Sequence, residues 1–131
     1  MVRMNIHEAI PSGMGYAEIA RGVSARQVAK RVKDGDLSWA DVYRVVPERT
    51  FKRRLSEGAV LKTAEADAIA RLLRVSEMAA WAFRDKAKAR VFLETANPAL
   101  GNHVPWNMAQ TDAGARDVEA LLVRFVHGIP G

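Results

Sequence analysis

The densest candidate for binding chemistry in this 131-residue sequence is the segment 47–54, which carries four basic side chains. Phe51 and Leu55 lie one helical turn apart, so they share one side of a helix, which we expect to face the core. The side chains outside or beside that face are Arg49, Thr50, Lys52, Arg53 and Arg54. Guanidinium groups can pair with guanine edges, and Lys, Thr and Arg can contact phosphates. The segment is therefore a candidate surface for nucleic acid.

A basic helix also has two other interpretations, a solvated face and a surface for an acidic protein. The context favours DNA. One short helix is predicted to end near Val45 and another to begin near Pro47, because proline disfavours helical geometry at Val46 and suits a first helical turn. Two such helices across a tight connection predict a helix-turn-helix, whose second helix can enter the major groove.

Side chains that could carry catalysis or bind a metal are sparse. His7, His103 and His127 are far apart, and none stands at metal-ligand spacing with another. There is no glycine-rich phosphate loop and no serine in a nucleophile elbow. The sequence has no cysteine, which excludes disulfides and thiolate metal sites. We predict a binding protein and not an enzyme, with no catalytic residue, metal or cofactor.

The composition is that of a soluble globular protein, with 49% hydrophobic and 27% charged residues. The net charge of +5 is concentrated in residues 1–58, which hold 11 Lys and Arg against 7 Asp and Glu. Any nucleic-acid face should therefore lie in that part. No apolar run is long enough to span a bilayer, and residues 1–10 lack the apolar core of a secretory leader. We expect a cytoplasmic protein without membrane contact.

Helix-start patterns predict an all-α fold. Ser24 and Gln27 have the form of a capping box, and Pro105 can open a short helix. The other N-cap candidates are Ser38, Thr63, Asp85 and Thr111. We place Trp39 on the buried side of its helix, and we expect a break near Val75 and Ser76 in the long helix from Thr63. No Asn-Gly hairpin or alternating β-branched run predicts a strand.

The loop 101–106 is the second feature that could bind a partner. It ends at Trp106, whose ring can fill the core. An exposed ring would instead mark a partner surface. The sequence leaves both interpretations open.

Ordered motifs in the C-terminal half carry a resemblance. They are Asn-Pro-Ala-Leu-Gly at 97–101, Val-Pro at 104–105, Thr-Asp-Ala-Gly at 111–114 and the helical run 118–128. Together they resemble the toxin-binding domain of the Xre/MbcA/ParS-like antitoxins. The segment 49–54 and the helix 65–75 resemble the family's Xre-type helix-turn-helix. The resemblance covers about residues 24–131.

The resemblance implies a domain order and a function. Pro11, Gly13 and Gly15 break up the start of the chain, which predicts an N-terminal arm and lead-in over 1–22. The resemblance implies a helix-turn-helix DNA-binding region over 23–75 and a small helical toxin-binding domain over 76–131. Such antitoxins neutralise a partner toxin, commonly of the RES type, which depletes NAD. The pair also binds its own promoter, so the operon represses itself. A homodimer within a larger toxin–antitoxin complex is implied as well.

Site residues carried over by the resemblance fall into two groups. The DNA contacts are the five residues of segment 49–54 named above. The toxin contacts are Gly101, Asn102, His103, Trp106, His127, Gly128, Ile129, Pro130 and Gly131. Pro130 keeps the tail extended, which suits insertion into a cleft, although a frayed terminus fits the same residues. The alternative function is a stand-alone helix-turn-helix regulator whose C-terminal domain serves only dimerisation.

Overall fold

A computed structural model describes residues 14–128 as a helical protein. The α-helices of this part are α1 (Tyr16–Arg21), α2 (Ala25–Lys33), α3 (Trp39–Val45), α4 (Glu48–Glu57), α5 (Thr63–Phe83), α6 (Lys86–Glu94), α7 (Pro105–Met108) and α8 (Asp112–Val126). A 3-10 helix spans Pro98–Leu100. Within the described residues, β-structure is limited to two isolated bridges. The all-α prediction is confirmed. No helix in residues 14–128 has the length and apolar content needed to cross a membrane.

Short side-chain caps begin four of these helices, as the sequence predicts. At α2, the Gln27 N–H donates to Ser24 Oγ over 3.1 Å, and the Ser24 N–H donates to Gln27 Oε1 over 2.7 Å. Ser38 and the buried Asp41 form the same reciprocal box at α3. Asp85 caps α6, and Thr111 caps α8 by accepting from the Gly114 N–H. Each cap stabilises its helix by about 1 kcal/mol.

Helix α5 departs from the prediction at two places. It is continuous through Val75 and Ser76, because it contains no proline or glycine that would break its hydrogen-bond ladder. Thr63 is its first helical residue and not its cap. One residue earlier, the Lys62 N–H donates to Glu65 Oε1 over 2.8 Å. The side chain of Glu65 thus reaches back to the residue that precedes the helix.

Contacts divide the described chain into two compact units, residues 14–73 and residues 74–128. The first unit has an aliphatic core with one buried aromatic ring, formed by Val23, Val28, Val42, Val46, Phe51 and Ile69. Its backbone is closed by short pairings, since the Ala25 N–H donates to Ala59 O over 3.0 Å and the Leu61 N–H to Val23 O over 2.8 Å. These bonds hold the start of α2 against the segment that follows α4.

The second unit is organised around the one-turn helix α7, which lies against both α6 and α8. Its core contains Leu93, Leu100, Trp106, Val118 and Leu122. Helices α7 and α8 meet at a close approach. A Cβ atom at Gly114 would stand 2.0 Å from the Met108 carbonyl oxygen, so the corner has room only for glycine.

Candidate functional site

The basic helix α4 is oriented by an aromatic cluster in the unit 14–73. Phe51 is fully buried, and its ring centroid lies 5.6 Å from that of Trp39 and 6.3 Å from that of Tyr43. Trp39 stacks on Tyr43 and is 39% exposed. The prediction that Trp39 is buried is therefore wrong. Its ring lies against Phe51 at the start of α3 and keeps part of its surface in solvent.

With Phe51 turned inward, α4 presents its cations to solvent. Arg49, Lys52 and Arg53 are exposed, and Thr50 is half-buried. Lys52 Nζ lies 2.9 Å from Glu48 Oε1, and this hydrogen bond and charge raise the pKa of Lys52 above its ordinary value. An exposed lysine is already charged at neutral pH, and this shift acts in the same direction. The outer face of α4 can thus offer fixed positive charge and guanidinium donors to a polyanion.

Arg54 lies apart from the other basic residues of α4. Its guanidinium forms an ion pair with Glu65 of the same unit, and its side chain is only 11% exposed. The carboxylate of Glu65 also accepts the Lys62 N–H at the start of α5. The geometry gives Arg54 a role in holding α4 to the start of α5, and the exposed set on α4 is Arg49, Lys52 and Arg53.

The loop after α6 in the unit 74–128 is held by its own backbone. The Asn97 N–H donates to His103 O over 3.1 Å, and Asn97 Oδ1 accepts from the Ala99 N–H over 2.9 Å. Gly101 and Asn102 both adopt left-handed geometry, with φ of 65° and 64°. Glycine adopts this geometry without strain, and asparagine tolerates it better than most residues. Gly101, Asn102 and His103 are therefore displayed on a defined, exposed turn.

Trp106 does not share that exposure. Its side chain is 1% exposed, and the Arg90 guanidinium carbon lies 5.8 Å from its ring centroid. The predicted contact of Trp106 with the toxin is therefore corrected, because a ring packed in the core offers no surface to a second protein. Trp106 instead fixes α7, the helix that follows the displayed turn.

The C-terminal end of α8 exposes apolar surface. Phe125 is 53% exposed although its ring centroid lies 4.9 Å from that of Phe83, and Val126 is 40% exposed. His127 and Gly128 follow and are both exposed. The predicted tail contacts Ile129, Pro130 and Gly131 lie outside the described residues.

An open cleft of about 410 Å³ lies beside the displayed turn. Leu100, His103 and Met108 line one side, and α8 lines the other with Asp117, Ala120 and Arg124. Sequence reasoning missed the three α8 residues. Their spacing of i, i+3 and i+7 places them on one helical face, which was a readable pattern. The loop that faces them across the cleft could not be placed from sequence.

Comparison with known proteins concerns this second unit directly. Residues 78–128 match the family described as the antitoxin Xre/MbcA/ParS C-terminal toxin-binding domain. Residues 78–128 belong to this family of toxin-binding domains. The matched residues include the displayed turn, helix α7, the cleft and all of α8.

Three curated relatives called Antitoxin Xre extend this family assignment. The chain is 26% identical over 113 residues to the protein from Pseudomonas putida, covering 86% of this chain and 71% of the relative. It is 33% identical to the Yersinia enterocolitica protein, covering 64% and 57%, and 35% identical to the Photorhabdus laumondii protein, covering 68% and 62%. The chain thus spans less than two thirds of the length of the last two.

The two candidate surfaces relate differently to this antitoxin family. The turn, the cleft and the end of α8 fall inside the matched domain of residues 78–128. The basic face of α4 lies outside that segment. Its functional interpretation therefore depends on its own charge, exposure and helical context.

Proposed function

We propose that this chain is the antitoxin of a toxin–antitoxin pair and acts by binding its toxin directly. The match of residues 78–128 to a toxin-binding domain carries the proposal. The relatives named Antitoxin Xre support it. We further propose a RES-type toxin that depletes NAD, in line with the family resemblance.

The proposed toxin-facing surface combines the displayed turn with the end of α8. Gly101, Asn102 and His103 offer exposed polar groups, while Phe125 and Val126 offer exposed apolar area. Half-exposed aromatic side chains of this kind often anchor protein interfaces. His127, Gly128 and the three residues that follow extend the proposed contact toward the toxin active site.

The proposed second activity is repression of the chain's own operon. Helix α4 follows α3 after the two residues Val46 and Pro47, a connection slightly shorter than the usual helix-turn-helix turn. Its exposed Arg49, Lys52 and Arg53 suit a major groove and its phosphates. We propose a homodimer for this role, because paired half-sites match a two-fold protein.

Co-expression with the product of the adjacent open reading frame tests the antitoxin function. We expect the neighbour alone to arrest growth and lower cellular NAD, and the full chain to restore both. A neighbour that is harmless alone, or that stays lethal with this chain, contradicts the proposal. A chain ending at Gly128 should fold normally and lose most of its protection. Full protection by that chain contradicts the proposed role of the tail.

Replacing Arg53 with alanine should weaken binding to a duplex of the operon's promoter about fivefold or more, since a lost bidentate contact to guanine costs about 1–3 kcal/mol. Lys52→Ala should weaken binding less, because Glu48 already holds the ammonium. Titration at several salt concentrations provides the readout. Lys88→Ala, which removes an exposed charge from α6, is the matched control and should change little. If Arg53→Ala and the wild type bind the promoter with equal affinity, the proposal that α4 contacts DNA is contradicted.

A stand-alone transcription regulator is the second candidate, and the exposed cations of α4 favour it as much as they favour an autorepressing antitoxin. Binding to the neighbouring gene product distinguishes the two functions. A regulator binds the promoter tightly without that product and forms no stable complex with it. An antitoxin forms the complex, and Arg53→Ala leaves that complex intact.

A further inference from the structure

The cleft between the displayed turn and α8 has a distinct chemical layout. Its aliphatic lining comes from Ala99, Leu100, Met108 and Ala120. Charged groups stand on the α8 side, with Asp117 two helical turns before Arg124. Seven residues of helix correspond to about 10 Å along its axis. The cleft therefore has an acidic end and a basic end separated by apolar surface.

Arg124 is the residue of this cleft that has a buried hydrogen-bond donor without an acceptor in residues 14–128. Its Nε–H is buried and, among the described residues, has no hydrogen-bond acceptor. A guanidinium carries five N–H donors and no acceptor, and a buried donor without an acceptor costs about 1–3 kcal/mol. If the guanidinium turns toward the cleft, an oxygen of the occupant can accept this N–H and remove that cost. A carboxylate does so with matching charge and can bond two N–H groups at once.

The remaining groups distinguish a peptide from a free anion. Asp117 lines the same cleft, and its carboxylate repels a dianion such as phosphate. A peptide segment can bring a carboxylate to Arg124 and a backbone N–H or a basic group to Asp117. His103 can add one hydrogen bond at the open side. The volume of about 410 Å³ lies at the small end of binding pockets, which suits one or two side chains.

We propose that this cleft is a specificity pocket for the partner toxin, and that it receives an acidic side chain flanked by an aliphatic residue. The carboxylate pairs with Arg124, and the aliphatic neighbour lies on Leu100 and Met108. This inference rests on the proposed antitoxin function and deepens it. Opposite charges at the two ends would fix the direction of the bound segment and reject partners of the wrong charge pattern.

Binding of the co-expressed neighbouring gene product to the full chain tests the pocket. Arg124→Gln keeps the length of the side chain and removes its charge, and we expect Kd to rise at least tenfold. Arg116→Gln is the matched control on the same helix, because Arg116 pairs with Asp112 on a surface where its side chain is 76% exposed. It should stay within twofold of the wild type. Thermal unfolding of each variant separates lost contact from lost fold.

A second variant keeps the test informative if Arg124→Gln fails to fold. Ala120 is an exposed residue in the cleft, so Ala120→Phe fills the pocket without entering the core and should raise Kd at least tenfold. Ala113→Phe, at an exposed α8 position outside the cleft, should not. Charge reversal gives a test in which affinity is expected to rise. Arg124→Glu should bind the wild-type toxin poorly and should regain affinity when one acidic residue of the toxin is changed to lysine.

The outcomes separate this inference from the function on which it rests. If the wild-type chain does not bind the neighbouring product, the antitoxin proposal fails. If the wild type binds it and Arg124→Gln and Ala120→Phe bind equally well, the toxin lies elsewhere and the pocket inference is overturned. Displacement of the toxin by excess inorganic phosphate at constant ionic strength would make the cleft a simple anion site, which also overturns the inference.

Discussion

Replacing Gly114 with alanine should destabilise the unit 74–128 by more than about 3 kcal/mol, the upper end of ordinary overpacking costs. Helix propensity alone predicts the opposite sign, because alanine is favoured over glycine inside a helix by about 1 kcal/mol. The geometry decides the outcome. The added Cβ would lie 2.0 Å from the Met108 carbonyl oxygen and 2.7 Å from its carbonyl carbon. Both are backbone atoms, so no side-chain rotation can relieve the clash.

Relief of that clash requires α7 to move away from α8. Such a shift would strain the cap in which Thr111 Oγ1 accepts the Gly114 N–H over 3.0 Å, and it would open the packing around Trp106. Near-ultraviolet circular dichroism and a urea titration followed by tryptophan fluorescence measure both effects. Gly15→Ala is the control, because a Cβ there meets nothing within 4 Å. A Gly114→Ala protein as resistant to urea as the wild type would contradict the close approach.

The second large effect is expected at the ion pair between Arg54 and Glu65. The two side chains are 11% and 17% exposed, so removal of either leaves a largely desolvated charge behind. We expect Arg54→Met and Glu65→Gln each to lower the free energy of unfolding by about 2–4 kcal/mol. The double variant should lose clearly less than the sum, since the orphaned charge is then gone. Urea unfolding of all four proteins gives the coupling energy.

A matched comparison lies on the same helix. Lys52 and Glu48 also form an ion pair, but both side chains are more than half exposed. Lys52→Ala should therefore leave the urea midpoint close to that of the wild type. The Arg54 prediction is contradicted if Arg54→Met behaves like Lys52→Ala. Promoter binding would then become the natural place to look for the role of Arg54.

Local features of the fold were predictable because their partners are close in sequence. Ser24 and Ser38 cap helices through residues three positions away, and Thr111 does the same at α8. A hydroxyl before an amphipathic run is thus readable without any tertiary information. The long helix α5 was harder, because a serine and a β-branched residue at Val75–Ser76 weaken a helix without ending it.

Features that depend on distant residues were not predictable. Hydrophobicity alone cannot tell the exposed Trp39 from the buried Trp106, since the difference comes from which elements pack over each ring. The same limit applies to Arg54, whose acidic partner lies eleven positions away on another helix. The cleft has one side that was predictable from sequence and one side that was not. Its α8 face could be read from spacing, but Leu100 and His103 reach it only through the turn that follows α6.

The side-chain caps described above bear on how quickly the chain becomes active after synthesis. A helix whose start is closed by a residue three positions away needs no long loop to form, and proteins rich in such local contacts fold in microseconds to milliseconds. Ribosomes add about 5–20 residues per second, so folding of these helices would not limit the appearance of functional chain. For a protein that inhibits another protein, the amount of folded, active inhibitor would then follow its rate of synthesis almost without delay.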